Sequence, residues 1–185
     1  SMRFILLIVL LAACFAAYSQ GTKAEKIILD TDFGNDCDDT GALAILHQMA
    51  YQGEAEILAT MYPMNDEWGA AAIDAVNTYY GKPNIPTGTY KGNYEYKGKH
   101  NDFYNSRLAA FPNDLKTGKN APDAILLYRQ ILAAQPDKSV TIVVVGPQRL
   151  IADLLLSKPD SYSKLDGIAL VKKKVKQLVS MGAEY

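Results

Sequence analysis

Short apolar runs rich in β-branched residues alternate with segments of helical period along most of this chain, and that alternation leaves few architectures open. KIILD (26–30), EILATMY (56–62), SVTIVVVG (139–146) and VKQLVSMG (175–182) read as strands, with a shorter one near Ile85–Tyr90. Between them, Asp39–Tyr51 carries Leu43, Ile45, Leu46 and Met49 at helical spacing behind an acidic start. Trp68–Tyr80 turns Ala71, Ile73, Val76 and Tyr80 inward before Gly81 and Pro83 stop it. Asp123–Ala134 and Leu150–Leu156 are the remaining helices. Strands separated by helices of this length predict βαβ units, hence an α/β fold with an open, mostly parallel sheet and helices on both faces.

The amino-terminal end does not join that pattern. Met2, a lone Arg3 and the run FILLIVLLAACFAA form a short basic head followed by an apolar stretch too short to span a bilayer. This predicts an export signal over residues 1–19, ending at the small-x-small site Ala17-Tyr18-Ser19, and one domain over 20–185. A second reading takes Leu11-Ala12-Ala13-Cys14 as a lipobox, with a lipid anchor on Cys14. Either way the expected location is outside the cytoplasm, periplasmic or secreted, with no membrane span. The remaining stretch, about 165 residues, suits one compact core. Loss of Arg3 takes the formal net charge from −1 to −2, which points to neither nucleic acid nor an anionic membrane surface as partner. Only Cys37 is left after cleavage, so no intrachain disulfide can form.

The first strand runs into DTDFGNDCDD, which places Asp30, Asp32, Asp36, Asp38 and Asp39 within ten positions. No Lys or Arg occurs from Ile27 to Gly81. Carboxylates this close cannot all ionise without a counter-charge, and a bound cation is the economical source. Oxygen-only ligands favour a hard ion, Ca²⁺ or Mg²⁺. Capping of the following helix accounts for one or two of Asp36, Asp38 and Asp39, but not for Asp30 and Asp32 at a strand end. In open parallel sheets, ligands bind beyond the carboxyl ends of the strands. Two other strands also end in notable residues there, Gly146-Pro147-Gln148-Arg149 and Met181-Gly182-Ala183. A strand ending in Asp-x-Asp also opens the haloacid-dehalogenase-like phosphohydrolases. Those expect glycine and threonine next, where this chain has Phe33 and Gly34.

Other residues receive plainer readings. The stretch 90–107, polar and rich in tyrosine, reads as a long surface loop carrying an exposed His100. His47 reads as a surface or half-buried helix residue, and Lys172-Lys173-Lys174 as a solvated helix end.

DTDFGNDCDD followed by an Ala/Leu-rich helix resembles the amino-terminal signature of the inosine–uridine-preferring nucleoside hydrolases, Asp-Thr-Asp-Pro-Gly-x-Asp-Asp. Phe33 replaces the proline, and two extra residues precede Asp38-Asp39. The similarity continues through AAIDAVNTYYGKPNIPTG (70–88), TIVVVGPQRLIADLL (141–155) and LVKKKVKQLVSMGA (170–183). The resemblance implies a Rossmann-like fold, a Ca²⁺ cofactor and hydrolysis of the N-glycosidic bond of ribonucleosides. It implies metal-binding carboxylates at Asp32 and Asp39 and a backbone-carbonyl ligand at Arg149. Asp38 matches the water-activating base, with Asp36 its rival. Asn65 and Met181 match substrate-lining positions, although helix capping is the plainer role for Asn65 and an ordinary buried strand end for Met181. Asp30 reads as a structural carboxylate. Members of that family continue well beyond the position of Tyr185 and draw a further metal-binding aspartate and a histidine from that portion. An amino-terminal part alone is therefore expected to bind metal weakly, turn over little and expose apolar surface that favours pairing with another chain. The alternative function is an exported sugar-, nucleoside- or metal-binding protein without turnover.

Overall fold

The structure, a computed structural model, describes residues 23–34, 36–92 and 104–182. The export-signal and lipobox readings, His100 and Ala183 lie outside the described residues. Five strands form one sheet: β1 (Glu25–Asp30), β2 (Ala55–Tyr62), β3 (Thr87–Thr89), β4 (Val140–Val144) and β5 (Val175–Ser180). Their order is β3-β2-β1-β4-β5, and every pairing is parallel. The helices are α1 (Asp38–Tyr51), α2 (Gly69–Tyr79), the single turn α3 (Asn105–Leu108), α4 (Ala124–Ala134), α5 (Arg149–Leu156) and α6 (Gly167–Lys174).

The sheet has two cores because β1 and its neighbours are apolar on both faces. Ile27 and Leu29 pack with Leu43 and Leu46 of α1 and Ile73 of α2. Ile28 faces the opposite way and packs with Leu127 of α4, Leu150 of α5 and Leu170 of α6. From β1 the chain steps outward to β2 and β3, then crosses back over β1 to β4 and β5. Right-handed crossovers in opposite directions put α1 and α2 on one face and α4, α5 and α6 on the other. The reversal falls between β1 and β4, and this is where an open sheet leaves a crevice at its carboxyl edge.

The expected helices are present with boundaries moved by a residue or two, but two residues of the apolar pattern do not face the core. Ile45 is 63% exposed. Successive helical residues turn by about 100°, so a residue two places after Leu43 points away from it, whereas Leu46 and His47 share its face. Tyr80 ends α2 at 41% exposure. Its ring lies flat on His47, with centroids 4.5 Å apart and planes at 9°.

His47 is thereby buried at 3% exposure, deeper than the surface or half-buried reading. It meets Asn77 Oδ1 through Nε2 at 2.9 Å, and Asn77 Nδ2 lies 3.4 Å from both Thr60 Oγ1 and Thr87 Oγ1. The seam joins α1, α2, β2 and β3. Burial holds the imidazole below its ordinary pKa.

β5 forms one border of the sheet. Val175 is buried, while every residue from Lys176 to Ser180 is exposed. On the same side of the molecule, Arg129 of α4 is 1% exposed and fastens the link between α5 and α6. It donates to Asp160 Oδ2 (2.7 Å), Ser157 Oγ (2.9 Å) and the Leu165 carbonyl (2.8 Å). Among the described residues no helix is long and apolar enough to cross a membrane.

Two outcomes follow from these buried polar groups. Arg129→Ala removes the cation paired with Asp160 and the donor to the Ser163 and Leu165 carbonyls, and urea unfolding is expected to show a loss of about 3 kcal/mol. For His47 the folded pKa lies below the unfolded one, so the unfolded chain takes up the proton first and stability falls on acidification through the histidine range. The wild type should lose stability relative to His47→Gln between pH 7 and pH 5, by no more than about 1.4 kcal/mol per pH unit.

Candidate metal centre

The carboxyl end of β1 distributes its aspartates between two environments. Asp30 points into the α4 face and is fully buried; Tyr128 donates its hydroxyl to Asp30 Oδ2 at 3.0 Å. Its Oδ1 has no hydrogen-bonding partner, and burial pushes the carboxyl well above its usual range. Asp30 is thus a buried strand-end group whose charged form burial disfavours, and it keeps the structural part the sequence reading assigns to it.

Thr31 points to the other face. Its hydroxyl donates to Asp39 Oδ1 at 2.5 Å, bridging the strand end to the first turn of α1. Asp39 is 2% exposed. Burial first, then the nearby Asp32, Asp38 and Asp36, raise its carboxyl to about 7 against the pull of Thr31. Asp36, Asp38 and Asp39 offer carboxylate oxygens that all lie within 4.8 Å of one another. The first two are exposed, and Asp36 is raised chiefly by its hydrogen bond to Asp38, which is lowered by the same bond.

Asp32 sits where β4 comes closest. A Cβ on Gly146 would stand 2.7 Å from Asp32 Oδ1 and 2.8 Å from Asp32 N, so only glycine lets the two strand ends meet. Asp32 also acts electrostatically on Asp30, Asp36 and Asp39. The four carboxylates Asp32, Asp36, Asp38 and Asp39 therefore share one end of the crevice.

The loop between them is held from outside. Gly34 has φ +120°, and a Cβ there would lie 2.0 Å from Asn105 Nδ2. Asn105, 1% exposed, donates Nδ2 to the Phe33 carbonyl at 2.8 Å. Tyr104 packs edge-on against Phe33 (5.6 Å, 85°), meets the Thr40 hydroxyl at 3.0 Å and donates to the Asp36 carbonyl. Sequence reasoning missed both residues. They end the tyrosine-rich stretch, belong to no motif, and only the fold brings them some 70 positions back along the chain.

The remaining expected positions lie along the same carboxyl edge. Arg149 opens α5, half-buried, with its guanidinium carbon 5.9 Å from the Tyr90 ring centroid. Leu150 behind it is fully buried. Asn65 is exposed after β2, and it is Asp66 rather than Asn65 that meets the start of α2, accepting from Trp68 N and Gly69 N at 2.9 Å each. Met181 is 54% exposed rather than a buried strand end, because β5 borders the sheet among the described residues. Gln148 Nε2 donates to Ser180 Oγ at 2.9 Å and ties the ends of β4 and β5 together. A cavity of about 470 Å³ between α2 and Leu108–Pro112, lined by Val76, Tyr79 and Phe111, lies away from the aspartates.

The donor set is carboxylate oxygen only, and it lies in a segment without a cationic side chain, which fits a hard divalent ion. Without a cation the strain falls on Asp39. Its folded pKa near 7 lies above the unfolded value, so the folded state holds a proton that the unfolded state releases, and stability falls as pH rises from 4 through 7. Asp39→Asn removes that dependence. In chelator, the variant is expected to gain on the order of 2 kcal/mol over the wild type between pH 4 and pH 8 in urea unfolding.

No family model matches the chain, and no curated protein matches it. Solved structures do. Type III effector protein XopQ, in complex with adenosine diphosphate ribose, superposes with a TM-score of 0.70 at 18% identity, over 92% of this chain and 47% of its own. Effector protein XOO4466 gives 0.69 at 17%, over 92% and 48%. A plant nucleoside hydrolase, PpNRh1, gives 0.56 at 21%, over 86% and 48%. These likenesses establish the α/β fold, shared with a nucleoside hydrolase, and the chain spans about half the length of each of the three.

Proposed function

We propose that this chain carries a metal-dependent N-ribohydrolase site, acting outside the cytoplasm on ribonucleosides. The observation that carries the reading is the convergence of Asp32, Asp36, Asp38 and Asp39 at the strand-order reversal, with buried Asp39 lifted to about 7 and no cationic side chain in the segment. Asp32 and Asp39, with the backbone carbonyl of Arg149, would hold a Ca²⁺. When bound, that ion supplies a fixed anchor for a sugar diol and a water together. Asp38 would accept the water's proton as the glycosidic bond lengthens, with Asp36, whose carboxylate oxygen lies within 4.8 Å of it, as its rival. The carboxylates around the crevice favour the positive charge that develops on the sugar. Asn65 and Met181, both exposed, would meet substrate.

A second reading, a ribosyl-binding protein without turnover, draws support from the XopQ structure, which holds adenosine diphosphate ribose. Calcium titration followed by thermal unfolding, then release of free base from inosine and uridine, tests both. Ca²⁺ at 100 times its dissociation constant should stabilise the chain by about 2.7 kcal/mol, and Asp32→Ala should abolish the gain. Asp38→Ala should keep the Ca²⁺ response and lower base release by about 10²- to 10⁴-fold. Nucleoside binding without base release would favour the second reading. The absence of any Ca²⁺ response would sink the first.

A further inference from the structure

Tyr104 and Asn105 supply none of the carboxylates, yet both bind the backbone that carries them. The Tyr104 hydroxyl has one proton and donates it to the Asp36 carbonyl, so from the Thr40 hydroxyl, 3.0 Å away, it accepts. Asp36 and Thr40 flank Cys37-Asp38-Asp39, the entry to α1, so a single phenol brackets two of the four aspartates. Its ring lies edge-on against Phe33, which is fully buried, and the hydroxyl is therefore delivered from a fixed base.

Asn105 holds the other half of the loop. Its Nδ2 donates at 2.8 Å to the carbonyl of Phe33, the residue that follows Asp32. The amide fills the space where a side chain at position 34 would begin, since a Cβ on Gly34 would meet Nδ2 at 2.0 Å and Oδ1 at 2.5 Å. Asn105 is 1% exposed, and its Oδ1 has no hydrogen-bonding partner among the described residues. A buried amide with an unmet acceptor is less stable there than an apolar side chain of similar size. Packing alone therefore does not account for an asparagine at this position, whereas its donor to Phe33 does.

Neither hold is local. The contacts reach back between 64 and 72 positions along the chain. Asp32, Asp36, Asp38 and Asp39 repel one another, and a loop secured only by its own backbone would spread before an ion arrived. Hydrogen bonds that keep the carboxylates together in advance reduce the ordering that binding would otherwise require.

We propose that Tyr104 and Asn105 are the positioning residues of this centre. They act through the backbone of residues 33–40 and set the affinity of the aspartate loop for a divalent cation. The proposal rests on the reading of the crevice as a metal centre. Groups that orient metal ligands from behind account for about 10- to 100-fold in affinity.

Calcium-binding calorimetry on the full chain, with hydrogen exchange in chelator, tests it. Tyr104→Phe removes one oxygen and keeps the ring against Phe33. It should weaken Ca²⁺ binding by about tenfold and speed amide exchange across 33–40, while β4 keeps its protection and the circular dichroism spectrum stays that of the wild type. Asn105→Ala should weaken binding by about 10- to 100-fold. His47→Gln, which disturbs a buried polar group in contact with α2 rather than with the loop, should leave the affinity at the wild-type value. A fall there as large as in Tyr104→Phe would overturn the proposal, because affinity would then merely follow stability. Unchanged affinity in Tyr104→Phe would also overturn it and leave the metal centre standing. No Ca²⁺ binding by the wild type would sink the reading of the crevice, and the proposal with it.

Discussion

β1 is paired on both sides, to β2 and to β4, and the chain departs from it in opposite directions on the two faces. That arrangement fixes where a crevice opens and obliges whatever follows β1 to line it. The residues that follow are Thr31 and Asp32, one turned toward α1 and the other toward the end of β4. The Thr31–Asp39 hydrogen bond closes the first link and the Gly146 approach closes the second. Burial of Asp39 beside three other carboxylates is unfavourable by itself, and the rest of the local structure holds it in place. Asn105 and Tyr104 grip the loop backbone, and Phe33 anchors it in the core. Charge repulsion that would open a free loop is met by packing and backbone hydrogen bonds.

Much of this arrangement was legible in the sequence, for identifiable reasons. Strands buried on both faces leave continuous apolar runs, so KIILD and TIVVV announce themselves, and the helices between them carry their period. The aspartates stand out because their local charge is uncompensated. What escaped reading depends on partners distant in the chain. His47 looks like a surface residue until Tyr80 and Asn77 close over it. Ile45 looks inward because hydrophobicity was read without its phase. Asp66 rather than Asn65 meets the start of α2, since two adjacent residues of similar capping propensity differ only in which one the turn aims at the helix. Asn105 has no motif at all, and its use lies wholly in where the fold delivers it.

Net charge conceals a related feature. The sum is near zero, yet the structure separates the signs along the strand axis. Acids gather where strands end, at the crevice of the strand-order reversal. Lysines gather where strands begin, and three of them sit in the last turn of α6, where the helix dipole favours cations. Composition reports the sum of charges, whereas binding responds to how they are distributed.

The parallel sheet also carries a kinetic consequence. No strand of the described sheet pairs with its neighbour through a hairpin. The contact that shapes the crevice joins residues as far apart as Asp30 and Val144, 114 positions along the chain. Loop closure over such distances must precede any gain from pairing, so β1 cannot settle until β4 exists and has been brought to it. On the ribosome, the aspartate loop therefore emerges long before the strand that completes its surroundings. The acidic segment, built early and finished late, spends the interval as a soluble, self-repelling stretch that is slow to make wrong contacts.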